Sequence, residues 1–193
     1  MKLLHVDSSA LGTHSVTREL GRAFVDAWTR NKSGTEVIYH DLAANPLPHW
    51  APVADASDPA VRAGNELLDE FLAADVVVIG TPMYNFSIPS TLKAWIDRVA
   101  VAGKTFRYGA NGPEGLAGGK RVIIVSARGG IYSEGPAEAM DFQEDYLRKV
   151  FGFLGVTDVE IVRAEGVNLS PENKVRAIGA ALEAIRADER LAA

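Results

Sequence analysis

The chain contains no cysteine. Disulfides, thiolate metal sites and a cysteine nucleophile are therefore excluded. It also lacks a basic excess: 20 Lys and Arg stand against 25 Asp and Glu, a formal charge of −5 with both signs interspersed. That argues against nucleic acid, which favours a basic stripe. No apolar run approaches the ~20 residues of a membrane span. The start, MKLLHVDSS, has no signal-peptide core, so a cytoplasmic protein with no membrane partner is expected. The histidines, His5, His14, His40 and His49, show no metal spacing, and no metal is expected. His14 alone lies in a loop of interest. The carboxylates form no obvious acid–base pair, and there is no internal repeat. With nucleophile, metal and acid–base pair all missing, a cofactor is the expected carrier of any chemistry.

What is present is a 193-residue chain, 47% apolar, long enough for one domain spanning 1–193. Its most informative stretch is DVVVIGTPMYNFSIPS, residues 75–90. Four β-branched apolar residues in a row read as a strand buried on both faces. The break at Gly80-Thr81-Pro82 leads into Met83-Tyr84-Asn85-Phe86, and Pro89 suits the first turn of a helix over about 90–102. The loop carries large side chains and free N–H groups, which suit a flat aromatic heterocycle with a polar edge. Packing of Tyr84 and Phe86 is the plainer alternative.

Four further strands are expected at Lys2–Asp7, 35–41, RVIIVSARGG, which ends in a Gly-Gly turn, and TDVEIVRAEG. Helices are expected after Ser15 or Thr17, over 61–74, over 136–155 ending at Gly155, and from the Ser170-Pro171-Glu172 start. The proline-rich stretch 42–60 reads as a long surface loop. Strand and helix alternate five times, which predicts a parallel sheet with helices on both faces. In the strand order 2-1-3-4-5, the loops 8–17, 82–86 and 127–130 converge on one crevice at the switch point. The first is rich in hydroxyls and enters a helix N-terminus, which suits a phosphate; taken alone, ordinary capping is the plainer reading. Arg128 stands beside the crevice, able to meet an anion or remain a surface charge. The glycine-rich 104–120 stretch is neither G-x-G-x-x-G after a strand nor a P-loop. It reads as a lid, or as a flexible connection.

Together these motifs resemble one family, the FMN-dependent NADH-azoreductases, also known as FMN-dependent NADH:quinone oxidoreductases. The resemblance covers nearly the whole chain. It rests on the early DSS, DLAANPLP at 41–48, PMYNF at 82–86, FRYGANGPEGL at 106–116, ARGGIY at 127–132 and GFLG at 152–155. It implies a flavodoxin-like three-layer α/β sandwich and a homodimer with one non-covalent FMN per subunit. NADH would be the co-substrate, with quinones and aromatic azo compounds as acceptors in ping-pong two-electron hydride transfer. By resemblance, Ser9, Ser15, Val16 and Thr17 match the FMN phosphate contacts. Pro82, Met83, Tyr84, Asn85 and Phe86 match the segment holding the isoalloxazine ring. Ala127, Arg128, Gly129 and Gly130 match the loop on its other side, with Ala127 where the family often has Ser. Tyr108 and Phe153 match aromatics over the flavin, where substrates stack. The aromatic start of 104–120 would fold back over the crevice, and Phe153 would come across a dimer interface. A flavodoxin-like single-electron carrier is the alternative with the same fold. A flavin-free regulatory domain would leave PMYNF unexplained.

Overall fold

A computed structural model describes residues 1–52, 55 and 57–188. The last five residues of the expected 1–193 domain, and part of the expected surface loop 42–60, lie outside the described residues. Five strands form one parallel sheet: β1 (Lys2–Asp7), β2 (Glu36–Asp41), β3 (Val76–Pro82), β6 (Arg121–Ala127) and β7 (Asp158–Ala164). Their order is β2-β1-β3-β6-β7. With strands outside the sheet left uncounted, this is the expected 2-1-3-4-5. Every residue of β3 and β6 is buried, which explains why their sequences are continuous apolar runs with no alternation.

Helices cover both faces. Helix α1 (Val16–Asn31) places Leu20, Phe24, Ala27 and Trp28 against the sheet, beside α5 (Pro171–Ala187). The other face carries α2 (Pro59–Ala73), α3 (Ser90–Val99) and α4 (Glu144–Phe153), packed around Trp95, Phe71 and Phe151. Local chemistry explains the helix starts. Ser15 caps α1 by accepting from the Arg18 N–H, Asp58 caps α2, and Ser170 caps α5. Pro89 is the N-cap of α3 and lies just outside its first turn.

Two expectations are corrected. The segment 136–155 is not one helix. A 3₁₀ turn over Gly135–Met140 is separated from α4, because Asp141 turns the chain by accepting from the N–H groups of Gln143 and Glu144. The glycine-rich stretch is not a flexible connection. It forms an antiparallel hairpin, β4 (Phe106–Gly109) with β5 (Gly112–Gly115), turned at Gly112 with φ +106°.

The position of that hairpin is also not the expected one. Helices α3 and α4 both start beside the carboxyl ends of the strands and run back along the sheet. Thr91 at the start of α3 donates to the Ser8 carbonyl, whereas Thr105, just past its end, donates to Val99. The hairpin follows that far end and is tied there to the end of α4, with the Ala117 N–H on the Leu154 carbonyl. A seven-residue strand spans roughly 20 Å. Within one chain, Tyr108 and Phe153 therefore sit across the sheet from the crevice and cannot fold over it.

Candidate functional site

At the carboxyl ends of β1, β3 and β6 the three expected loops do converge. The first begins with Ser8, whose N–H and hydroxyl both donate to the Gly80 carbonyl of β3. Ser9 is fully buried, and its hydroxyl accepts from the Leu11 N–H at 3.3 Å and lies 3.5 Å from the Tyr84 hydroxyl. Tyr84 also accepts from the Ala10 N–H, so the first and second loops touch directly. A short 3₁₀ turn over Gly12–His14 then leads to Ser15, leaving His14 exposed. Ser15 and Thr17 hydroxyls lie 3.0 Å apart at the start of α1, beside buried Val16. The first N–H groups of that helix have no intrahelical partner and carry the positive end of its dipole.

Arg18 secures this loop from outside. Its guanidinium makes two bonds of 2.6 and 2.7 Å to Asp41 and donates to the Ser9 carbonyl at 2.8 Å. The Arg18 contact, with the Ala44 and Ala43 N–H groups, pulls the Asp41 carboxyl down to about 2. Behind it, Tyr39 donates to buried Asp7. Burial, then the Asp7 charge, pushes the Tyr39 hydroxyl up to about 12.

The second loop is a tight turn. Tyr84 and Ser87 exchange both backbone hydrogen bonds, 2.9 and 3.1 Å, around Asn85 and Phe86. Those two central residues have φ of +48° and +70°, the left-handed geometry usually reserved for glycine. For a bulky residue such as Phe86 this stores strain, and strain of this kind clusters at functional sites. The turn's own bonds leave the Asn85 and Phe86 N–H groups unused. Upstream, Pro82 is buried and Met83 is anchored by its N–H on the Ala127 carbonyl.

The third loop, Ala127 to Gly130, is zipped against the segment after β7. Arg128 N–H donates to Ala164, and the Val167, Asn168 and Gly166 N–H groups donate to Arg128, Gly129 and Gly130. A Cβ on Gly129 would stand 2.8 Å from the amide end of the Asn168 side chain, which would have to shift. The Arg128 side chain corrects an expectation. It meets no ligand edge, since it is 0% exposed and ringed by Asp141, Glu144 and Glu165. Burial raises the Glu165 carboxyl, but the Ser133 hydroxyl, the Tyr132 N–H and Arg128 outweigh it, and the net shift is downward.

Tyr108 and Phe153 do come together, through Phe106, whose ring lies 5.7 Å from Tyr108 and 4.6 Å from Phe153. Tyr108 is 75% exposed. Sequence reasoning missed several neighbours of the crevice: Arg18, Tyr132, Phe142, Gln143 and Asn168. Tyr132 meets the Phe86 ring edge-on at 6.0 Å. Only Tyr132 carried a signal, since it lies in the quoted ARGGIY; the others sit in ordinary-looking helix or turn sequence. Among the described residues no cluster could hold a metal ion, and no helix is long and apolar enough to cross a membrane.

Sheet order, hydroxyl-lined helix start and two flanking loops define a doubly wound α/β protein with a mononucleotide-type crevice at its switch point. A family model described as flavodoxin-like fold matches residues 1–188. A protein of Xanthomonas oryzae pv. oryzae named FMN-dependent NADH:quinone oxidoreductase is 58% identical over 98% of this chain and 97% of its own. One of the same name from Sinorhizobium fredii is 58% identical over 96% of this chain and 95% of its own. An azoreductase structure from Bacillus anthracis superposes with a TM-score of 0.88 at 33% identity, covering 96% of each chain. An FMN-dependent NADH-azoreductase from the same species, in complex with FMN, reaches 0.87 at 26% identity, covering 100% of this chain and 99% of that one. This chain belongs to the flavodoxin-like family and, within it, to the FMN-dependent NADH:quinone oxidoreductases.

Proposed function

We propose that this protein binds one FMN non-covalently per subunit, accepts hydride from NADH and reduces quinones, cleaving aromatic azo compounds by the same route. The observation that carries the reading is the convergence of the three loops at one switch point. The donor set there fits the cofactor. Hydroxyls of Ser9, Ser15 and Thr17, with the Val16 and Thr17 N–H groups at a helix start, suit a phosphate dianion. The strained 84–87 turn offers the Asn85 and Phe86 N–H groups to the polar edge of a flat heterocycle, and 127–130 forms the facing wall.

FMN supplies the two-electron hydride exchange when bound; the polypeptide supplies orientation and electrostatics. Ser9 and the start of α1 fix one end of the ligand. The Tyr84–Ser87 turn, held rigid by its paired backbone bonds, fixes the other. Donors already in place at a developing negative charge need no reorganisation as it forms.

The position of Tyr108 and Phe153 supports a homodimer. In a single chain the pair Tyr108 and Phe153 does not cover the crevice, because it lies at the opposite end of the sheet. In a dimer, a second copy would bring its Tyr108 and Phe153 over the crevice. Stacking there would hold flat acceptors at ~0.5–1.5 kcal/mol per ring pair beyond burial, with low selectivity.

The test begins with the absorption spectrum of purified protein and anaerobic NADH titration. Released flavin should be FMN, and bleaching should need one NADH per site. Recovery of FAD, no flavin after reconstitution, or transfer of single electrons only would reject the enzyme reading. Tyr108→Ala and Phe153→Ala should change KM and acceptor preference between a quinone and an azo dye while FMN stays bound. Sedimentation giving a monomer under assay conditions would reject the shared wall.

A further inference from the structure

Gln143 lies in no stretch that its sequence marks out, yet its side chain is 0% exposed between β3, β6 and the start of α4. Its Nε2 donates to the Pro82 carbonyl at 2.9 Å and to the Thr81 carbonyl at 3.2 Å, with the Thr81 hydroxyl at 3.3 Å. Its Oε1 accepts from the Ser126 hydroxyl at 3.0 Å. Ser126 has one proton to give, and its lone pair takes the Arg128 Nε–H at 3.2 Å. The direction of the relay is thereby set: Arg128 to Ser126 to Gln143 to the carbonyls of β3. A flipped amide would put Oε1 against those carbonyl oxygens, so only one orientation satisfies the site.

The adjacent residue grips the other end of the same loop. The Phe142 N–H donates to the Phe86 carbonyl at 3.0 Å. Gln143 thus holds the root of the 82–86 segment, and the Phe142 backbone holds its tip. Between them lie the two positive-φ residues, Asn85 and Phe86. Such a turn persists where the surroundings over-determine it, and here the dipeptide 142–143 does so.

We propose that Phe142-Gln143 is a two-point clamp and that Gln143 is a positioning residue, setting the pose of the 83–86 turn against the flavin ring. The inference rests on the FMN reading above. Gln143 itself touches no ligand. It acts by denying the turn its unstrained alternatives, and it holds the 127–130 loop and the 83–86 turn in one frame through Ser126.

The test uses purified holoenzyme of the wild type, Gln143→Leu, Gln143→Glu, Ser126→Ala and the surface control Ser57→Ala. Both Gln143 variants lose the amide donors and leave buried carbonyls unpaired. The FMN dissociation constant should rise about tenfold in each, with a changed visible circular dichroism spectrum and a shifted flavin midpoint potential. Ser126→Ala keeps those donors and should give a smaller rise, about threefold. Ser57→Ala should leave FMN affinity unchanged. A drop in melting temperature with unchanged affinity, dichroism and potential would overturn the proposal, reducing Gln143 to packing. Should Gln143→Leu not fold, Gln143→Glu and Ser126→Ala decide on the same readouts. Hydrogen exchange separates the clamp from the cofactor assignment. If wild-type protein binds no flavin, the FMN reading fails, yet the Tyr84 and Ser87 amides should still exchange about tenfold faster in Gln143→Glu than in wild type. Equal exchange would overturn the clamp as well.

Discussion

The two ends of the crevice are built differently. At the phosphate end, Ser15 bonds to the Arg18 N–H three residues on and to the Thr17 hydroxyl two residues on, and Arg18 reaches Ser9 and Asp41 on the surface side. At the ring end, the Gln143 amide crosses 61 and 62 residues to Pro82 and Thr81, and buried Arg128 reaches Glu165 37 residues away. The first end is mostly short-range and, at Arg18 and Asp41, partly solvated. The second is long-range and dry. A solvated clamp can loosen without collapse, because water replaces what is lost. A buried polar frame has no such substitute, so it is either complete or costly.

Removing the buried cation should give the largest effect. Arg128→Met leaves Asp141, Glu144 and Glu165 without their shared partner, and should cost about 3–5 kcal/mol of stability in urea unfolding. Arg18→Met, at the partly exposed end, should cost only about 1 kcal/mol. Equal losses would erase the contrast between the two ends. In binding the order changes. Arg18→Met frees the Ser9 carbonyl and should weaken FMN about tenfold, measured by fluorescence titration. Asn85→Ala should weaken FMN by about 0.5–1.5 kcal/mol, and Ser57→Ala, in an exposed loop, should not. Matching dissociation constants for those two would remove Asn85 from the ring site.

A smaller effect isolates strain at the turn. Phe86→Ala and Phe86→Gly both remove the ring contact with Tyr132, but only glycine relieves the positive φ. The glycine variant should be more stable by about 1 kcal/mol. No difference would mean that the turn is unstrained. The smallest effect concerns acid. Asp41 has a folded value of about 2, below an unfolded value of ~3.9. Its contribution is therefore present above about pH 4 and is lost as pH falls through about 2. The difference in urea midpoint between wild type and Asp41→Asn should shrink over that window; a constant difference would uncouple Asp41 from Arg18.

Period and composition alone determined the strand–helix alternation, the helix cap at Ser170, a first-helix start at Ser15 or Thr17, and the hydroxyl-rich loop, because each depends on residues within a few positions of one another. Strand order followed only by analogy among doubly wound sheets, and the topology bore it out. Contacts between distant segments, a hidden cap at Asp141 and the direction of the helices decided the rest. The break at Asp141 was hidden because a helical apolar pattern continues across it, and the capping carboxylate was indistinguishable from a surface one. Arg128 read as available because its three acidic partners come from two other segments. The 104–120 stretch read as a lid over its own crevice, since sequence does not reveal at which end of the sheet a connection emerges. Helices returning antiparallel to their strands place that hairpin, with Tyr108 and Phe153, at the far end, a consequence of chain direction that only the assembled sheet makes visible.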